Sequence, residues 1–136
     1  MLHVKSPTNT TPKSLPKKPI SVQSRKAKGR NLQKLVVKKI LDAFSHLTNR
    51  DVCSTSMGAS GVDVKLSEAA YKSFPFSTEC KFQEINKSFI NMWEQAKSNT
   101  GGTNDALLVL KSSHTDVIAV MHIDKLMELL GERYKV

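Results

Sequence analysis

Apolar residues recur at three- and four-residue spacing at Leu32, Leu35, Val36, Ile40, Ala43, Phe44 and Leu47, which predicts a helix from about Ala27 with one apolar face. Arg30, Lys34 and Lys38 stand at four-residue intervals on another face, so this helix is basic as well as amphipathic. Beyond Asn49 the pattern shortens. A strand is expected around Asp51–Ser54, a turn of small residues over Ser56–Gly61, and a second short strand over Val62–Val64. Ser67 is placed to cap a brief helix over Glu68–Ser73, which Pro75 forces to end. Phe76–Phe82 reads as a strand and Lys87–Ser98 as a helix, and Gly101-Gly102 then breaks the chain. Ala106–Leu110 and Val117–Met121 are apolar, β-branched runs separated by a polar turn, as in a hairpin or two adjacent strands. A last helix starts at Asp124 or a near neighbour and carries Leu126, Met127, Leu129 and Leu130 to Gly131. The order predicts an α/β fold, a central mixed sheet with helices on its faces.

Composition changes this picture mainly at the N-terminus. Residues 1–24 carry Pro12, Pro16 and Pro19 among Ser, Thr and Lys, with too few large apolar side chains to offset the entropy of ordering. A disordered basic arm over 1–24 and one domain over 25–136 are therefore expected. Of the +9 net charge, all is N-terminal: residues 1–41 hold 11 Lys and Arg and no acid, whereas residues 42–136 hold 10 basic and 12 acidic residues. Such a block of charge suits a polyanionic partner, with nucleic acid foremost, or serves as a solubilising tail. The chain has no apolar run of the roughly 20 residues that a membrane span needs, and no apolar core of a secretory signal. Its two cysteines, Cys53 and Cys80, make no CxxC pair, and two reduced thiols in a cytoplasmic protein are expected.

The candidate chemistry lies on the strand expected at Phe76–Phe82. Alternation puts Glu79 and Lys81 on one side, with Cys80 and Phe82 on the other. Taken alone, an acid beside a lysine is an ordinary solvated ion pair. Asp63 changes the balance, because it stands sixteen residues earlier on its own short strand after a glycine turn. Two carboxylates on neighbouring strands can share a Mg²⁺, a hard cation that takes oxygen ligands and keeps several waters. A lysine beside them can orient the attacking water or stabilise charge on a phosphate. The scattered His3, His46, His114 and His122 lack zinc-site spacing, and Gly58 and Gly61 are not followed by the Lys-Ser/Thr of a phosphate-binding loop. Tyr71 and Trp93 are the two aromatic residues considered for base stacking, Trp93 being more naturally a packing residue.

Asp63 followed by Glu79-Cys80-Lys81 resembles the D…E-x-K motif of the PD-(D/E)XK nuclease superfamily. Ala27-Lys28-Gly29-Arg30 at the start of a basic helix, the small-residue turn before the aspartate, and Trp93-Glu94-Gln95-Ala96 on the following helix resemble archaeal-type Holliday junction resolvases. The run from Ser67 to Lys81 is similar to small bacteriophage proteins described as PD-(D/E)XK endonucleases. The resemblance covers about residues 25–130. It implies a restriction-endonuclease-like fold, and Mg²⁺ (Mn²⁺ as substitute) held by Asp63, Glu79 and the backbone carbonyl of Cys80. Lys81 is then the catalytic lysine, with Gln33 supporting the site and Gln95 reaching toward the site or toward DNA. DNA, branched in particular, is the implied substrate, gripped by Lys26, Lys28, Arg30, Lys34 and Lys38. A homodimer is implied for paired cuts, with no small-molecule cofactor and no membrane. Two departures stand out. Gln33 occupies the position of a resolvase glutamate, and Val62 rather than proline precedes Asp63. An endonuclease for flaps, nicks or duplex, or a catalytically silent DNA-binding module, are the alternative functions.

Overall fold

A computed structural model describes Pro16 and residues 18–19, 21–56, 61–102 and 104–133. Helix α1 spans Val22–Ala43. It begins five residues before the expected start because Ser21 is a working N-cap, its hydroxyl accepting the Ser24 N–H at 3.1 Å. Val22–Ser24, expected in the arm, are thus its first turn, and most of the rest of the arm lies outside the described residues. The helix ends at Phe44, where the backbone leaves helical geometry after one last bond to the Ile40 carbonyl.

Strand β1 (Val52–Ser54) pairs antiparallel with β2 (Val64–Leu66), Cys53 opposite Lys65. The second strand therefore begins two residues later than expected, and Asp63 stands at its entrance. The pairing turns Val52 and Val64 inward, where they meet Val36 and Ile40 of α1, with Phe44 and Leu47 beyond its end. Helix α2 (Glu68–Ser73) is capped by Ser67, whose hydroxyl accepts the Ala70 N–H and donates to Asp51 Oδ1 at 2.8 Å. Asp51 also accepts the Thr48 N–H, so one carboxylate ties the turn after α1 to the start of α2. Phe74, just before Pro75, closes the core from this side.

Helix α3 (Lys87–Ser98) is capped by the Asn86 side chain and packs against β3 (Leu107–Leu110). Positive φ at Gly101 and Gly102 makes the turn between them, a conformation that costs glycine little. Strand β3 pairs with β4 (Ile118–Met121), Leu107 opposite Met121 and Leu110 opposite Ile118, so the two apolar runs do form a hairpin. Helix α4 (Ile123–Glu132) starts at His122, whose Nδ1 accepts the Asp124 N–H at 3.1 Å. It returns to α1, placing Met127 in the core, and Lys39 on α1 meets Asp124 at 2.5 Å.

The chain is thus mixed helix and strand, but its strands differ from the expected central mixed sheet. Among the described residues there are two separate two-stranded antiparallel sheets. Phe76–Phe82 is irregular rather than a strand. It lies beside the entrance of β2, held by the Asp63 N–H to the Thr78 carbonyl at 3.0 Å. The next ladder donor, the Cys80 N–H, is taken by the Asp63 carboxylate instead of a backbone carbonyl, so the ladder does not propagate. No described helix is long and apolar enough to cross a membrane.

Candidate active site

Three hydrogen bonds position Asp63, and a fourth braces the residue before it. Its N–H donates to the Thr78 carbonyl, and its own carbonyl accepts the Thr55 N–H at 2.9 Å. The Thr55 hydroxyl donates to the carbonyl of Val62, one residue earlier. Oδ2 of its carboxylate accepts the Cys80 N–H at 2.6 Å. That last bond joins the aspartate to the middle residue of Glu79-Cys80-Lys81. Across the sixteen residues between Asp63 and Glu79 the chain is thus bridged by a bond to Glu79's neighbour Cys80, although one of the two expected strands is absent among the described residues.

Glu79 and Lys81 point the same way and form an ion pair of 2.7 Å between Oε1 and Nζ, both side chains well exposed. The hydrogen bond and charge of Glu79, with the more distant charge of Asp63, hold the Lys81 amine above its ordinary value. It is a cation at neutral pH and a donor, not a proton acceptor. Cys80 turns the opposite way and packs against the core. Its burial pushes the thiol up, and the negative charges of Asp63 and Glu79 push it further. The thiol is therefore a small apolar contact, and the residue's contribution to the site is its backbone. Phe82 departs from the expected alternation: it leaves the core and stands exposed.

An open cleft of about 460 Å³ runs along Ser77–Lys81, with Leu32 and Val36 of α1 and Ile123 and Leu126 of α4 as its apolar wall. Gln33 is close by on α1 but is 6% exposed, on the buried face with Val36 and Ile40. It does not line this cleft, so the structure gives it a core position instead of the expected one supporting the site. Gln95 is exposed on α3, a helix that packs on β3, and does not line the cleft either. Of the two expected roles for Gln95, reaching the site or reaching DNA, its exposed position accords with the second rather than the first. Trp93 is half-buried between α3 and the approach to β3, beside Asp105 and Ala106, in keeping with a packing role.

The basic residues of α1 divide into groups. Lys26, Arg30 and Lys34 are exposed. Lys38 is exposed but paired with Asp42 at 2.6 Å, one turn on. Lys28 is half-buried, its ammonium 5.2 Å from the centroid of the Phe82 ring. Sequence reasoning misses Phe82. Its signal is adjacency to Lys81, masked by an alternation that assigns it to the buried side.

Among the described residues, no three His, Cys, Asp or Glu side chains come together as a metal site. The oxygen set at Asp63 and Glu79 is smaller than that but of the right kind. One carboxylate oxygen of each is engaged, Oδ2 by Cys80 and Oε1 by Lys81. Carboxylate oxygens are the donor type that Mg²⁺ takes, one or two of them with water completing its shell, so the chemistry of Asp63 and Glu79, though not a gathered cluster, suits that ion. A second, open cleft of about 570 Å³ is lined by His46, Asp51, Ser67, Glu68, Lys72 and neighbours. There His46 Nε2 lies 2.9 Å from Ser73 Oγ, but Ser73 is almost wholly buried and so is placed as a structural partner. Comparison with protein-family models, with curated proteins and with solved structures gave no match to this chain.

Proposed function

We propose that this chain is a metal-dependent DNA endonuclease of the PD-(D/E)XK type, acting on branched DNA such as a Holliday junction. The observation that carries the reading is the 2.6 Å bond from the Cys80 N–H to the Asp63 carboxylate, which joins the lone acid to the Glu-Cys-Lys segment. An acidic side chain tied to that segment is what the motif requires. A restriction-endonuclease-like arrangement is part of this proposal. It rests on the resemblance of residues 25–130, since the described strands form two small sheets.

On this reading Asp63, Glu79 and the Cys80 carbonyl hold Mg²⁺, or Mn²⁺ in its place. The chemistry such an ion supplies is polarisation of a phosphoryl oxygen and activation of the attacking water. Lys81 supplies a fixed positive charge: protonated, and paired with Glu79 before substrate arrives, it donates to a phosphate oxygen as charge builds there. The exposed Lys26, Arg30 and Lys34 grip the flanking phosphates, with Lys28 and Lys38 adding to the positive face of α1. Paired cuts across a junction need two such centres, hence a homodimer. The proposal includes a cytoplasmic setting, in a bacterial host if the chain is phage-encoded.

A second reading has its own observation. Lys81 neutralises Glu79 and the resolvase glutamate is replaced by a buried Gln33, which suits a DNA-binding module without catalysis. The experiment that separates the readings incubates the protein with labelled four-way junction, flap, single strand and duplex, in Mg²⁺ or EDTA, beside Asp63→Asn. Paired cuts near the crossover, lost in EDTA and in the variant, are the expected result. Cutting of other forms keeps the nuclease and discards the junction. Tight binding without products in Mg²⁺ or Mn²⁺ refutes the nuclease.

A further inference from the structure

Phe82 follows Lys81 directly and is 57% exposed. A lone exposed apolar side chain is common and needs no explanation. Its company sets it apart. Lys28 holds its ammonium over the ring, and Arg25, three residues earlier and hence on the same side of α1, lines the same cleft of about 300 Å³ with Gln83 and Glu84. The cleft thus combines an open aromatic surface, two cations, an amide and a carboxylate. It abuts Glu79 and Lys81 along the chain.

Each component has a counterpart in a nucleotide. An aromatic ring stacks on any base, because every base has a π face, and flanking cations neutralise the phosphates on either side. Gln83 can both donate to and accept from a base edge, whereas Glu84 can only accept from an amino or ring N–H. Glu84 would also repel a phosphate, which divides the cleft into a backbone side at Arg25 and Lys28 and a base side at Gln83 and Glu84. A base inside a duplex has both faces covered by its neighbours. The cleft therefore suits a base outside the stack.

We propose that Phe82, with Arg25 and Lys28, is a stacking site for an unpaired nucleobase of a DNA strand that runs past Glu79 and Lys81. The site deepens the nuclease reading, on which it rests for the direction of the strand, by naming its substrate class. That class is DNA with unpaired nucleotides beside the cut, as at a flap, a gap or an opened junction. Stacking on the ring needs no metal, so it is measurable in EDTA whether or not the protein cuts.

The test is equilibrium binding in EDTA of a labelled 20-nucleotide single strand and of the matched duplex, to the wild type and to Phe82→Ala, Phe82→Leu and Phe82→Trp. Circular dichroism and melting confirm that each variant is folded. Phe82→Leu keeps an apolar side chain under the Lys28 stem but has no π face. Stacking predicts that the Ala and Leu variants lose about tenfold in single-strand affinity, that Trp retains it, and that duplex affinity changes less than twofold. Single-strand affinity unchanged in the Leu variant overturns the proposal, and so does an equal loss on duplex. A protein that shows the stacking pattern but never cuts keeps this site and loses the nuclease. One that cuts but shows no pattern loses only this site.

Discussion

Asp63 carries two duties that a pair of substitutions can separate. One is structural: Oδ2 accepts the Cys80 N–H at 2.6 Å, and the aspartate is half-buried. A charge-assisted bond of this kind is worth about 1.5–3 kcal/mol, and removing the acceptor leaves a part-buried N–H without a partner. Asp63→Ala should therefore cost about 2 kcal/mol, or about 8 °C in melting midpoint at this chain length. Asp63→Asn keeps an oxygen in nearly the same place, and the bond becomes a neutral one, so the loss should be no more than about 1 kcal/mol. The other duty is chemical, and here asparagine does not substitute. Without the Asp63 carboxylate the proposed Mg²⁺ ligands keep one of their two negative charges, and a loss of about 4 kcal/mol from the transition state corresponds to about 1000-fold in rate.

The assay measures melting by circular dichroism and single-turnover cleavage of a labelled junction for the wild type and both variants. The expected pattern is a stable, DNA-binding, uncut complex for Asp63→Asn and a destabilised one for Asp63→Ala. Asparagine that restores both stability and cutting would refute the chemical duty and reduce Asp63 to a tether. Alanine that melts with the wild type would refute the structural one.

Three further outcomes follow from other parts of the molecule. Ile40, fully buried between α1 and the β1–β2 hairpin, should cost about 2–5 kcal/mol on truncation to alanine, read as a lower urea midpoint with an unchanged slope. Exposed Arg30 and Lys34, each replaced by Gln, should lower the slope of log affinity for duplex against log salt by about 0.9 for each phosphate that is no longer neutralised. Lys38→Gln should do less, since Asp42 already holds that ammonium; equal slopes for all three would show that the pair opens on DNA. Exposed Cys53 should be alkylated before Cys80, whose thiol is held up by burial and by Asp63 and Glu79, with the reverse order in peptide mapping counting against the site geometry. In Asp63→Asn one of those charges is gone, so Cys80 should form thiolate more readily and react faster.

Most helices are legible in the sequence because their limits are written in local chemistry. Ser67 and Asn86 are caps in the structure, and Pro75 stops α2 as a steric rule demands. The start of α1 is not legible in the same way, because the apolar face begins at Leu32, whereas the helix begins at a cap eleven residues earlier. The first turns of α1 have no core beneath them and are held by capping and by the return of Phe82 toward Lys28. Periodicity does not report such a helix end.

The strand expected over Phe76–Phe82 shows a different limit. Alternation says that a segment suits a pleated edge, not which edge receives it. Here the β1–β2 hairpin offers one edge, and after a single backbone bond at Thr78 the Asp63 side chain intercepts the next donor. The other edge that could have joined the sheet belongs to β3 and β4, which pair with each other and leave Leu107 and Val109 more than half exposed on one face. Elements whose partners are near in sequence are therefore readable from it, while the sheet, which needs partners far apart, is not. Asp63 falls between these cases. Its link to the Phe76–Phe82 segment is one side-chain bond to Cys80, seventeen residues on, and one backbone bond to Thr78, with no continuous ladder. The Asp63–Cys80 bond can thus form without the sheet that was expected to build it, which is why the aspartate reaches the Glu79-Cys80-Lys81 segment in a fold whose strands depart from the expected order.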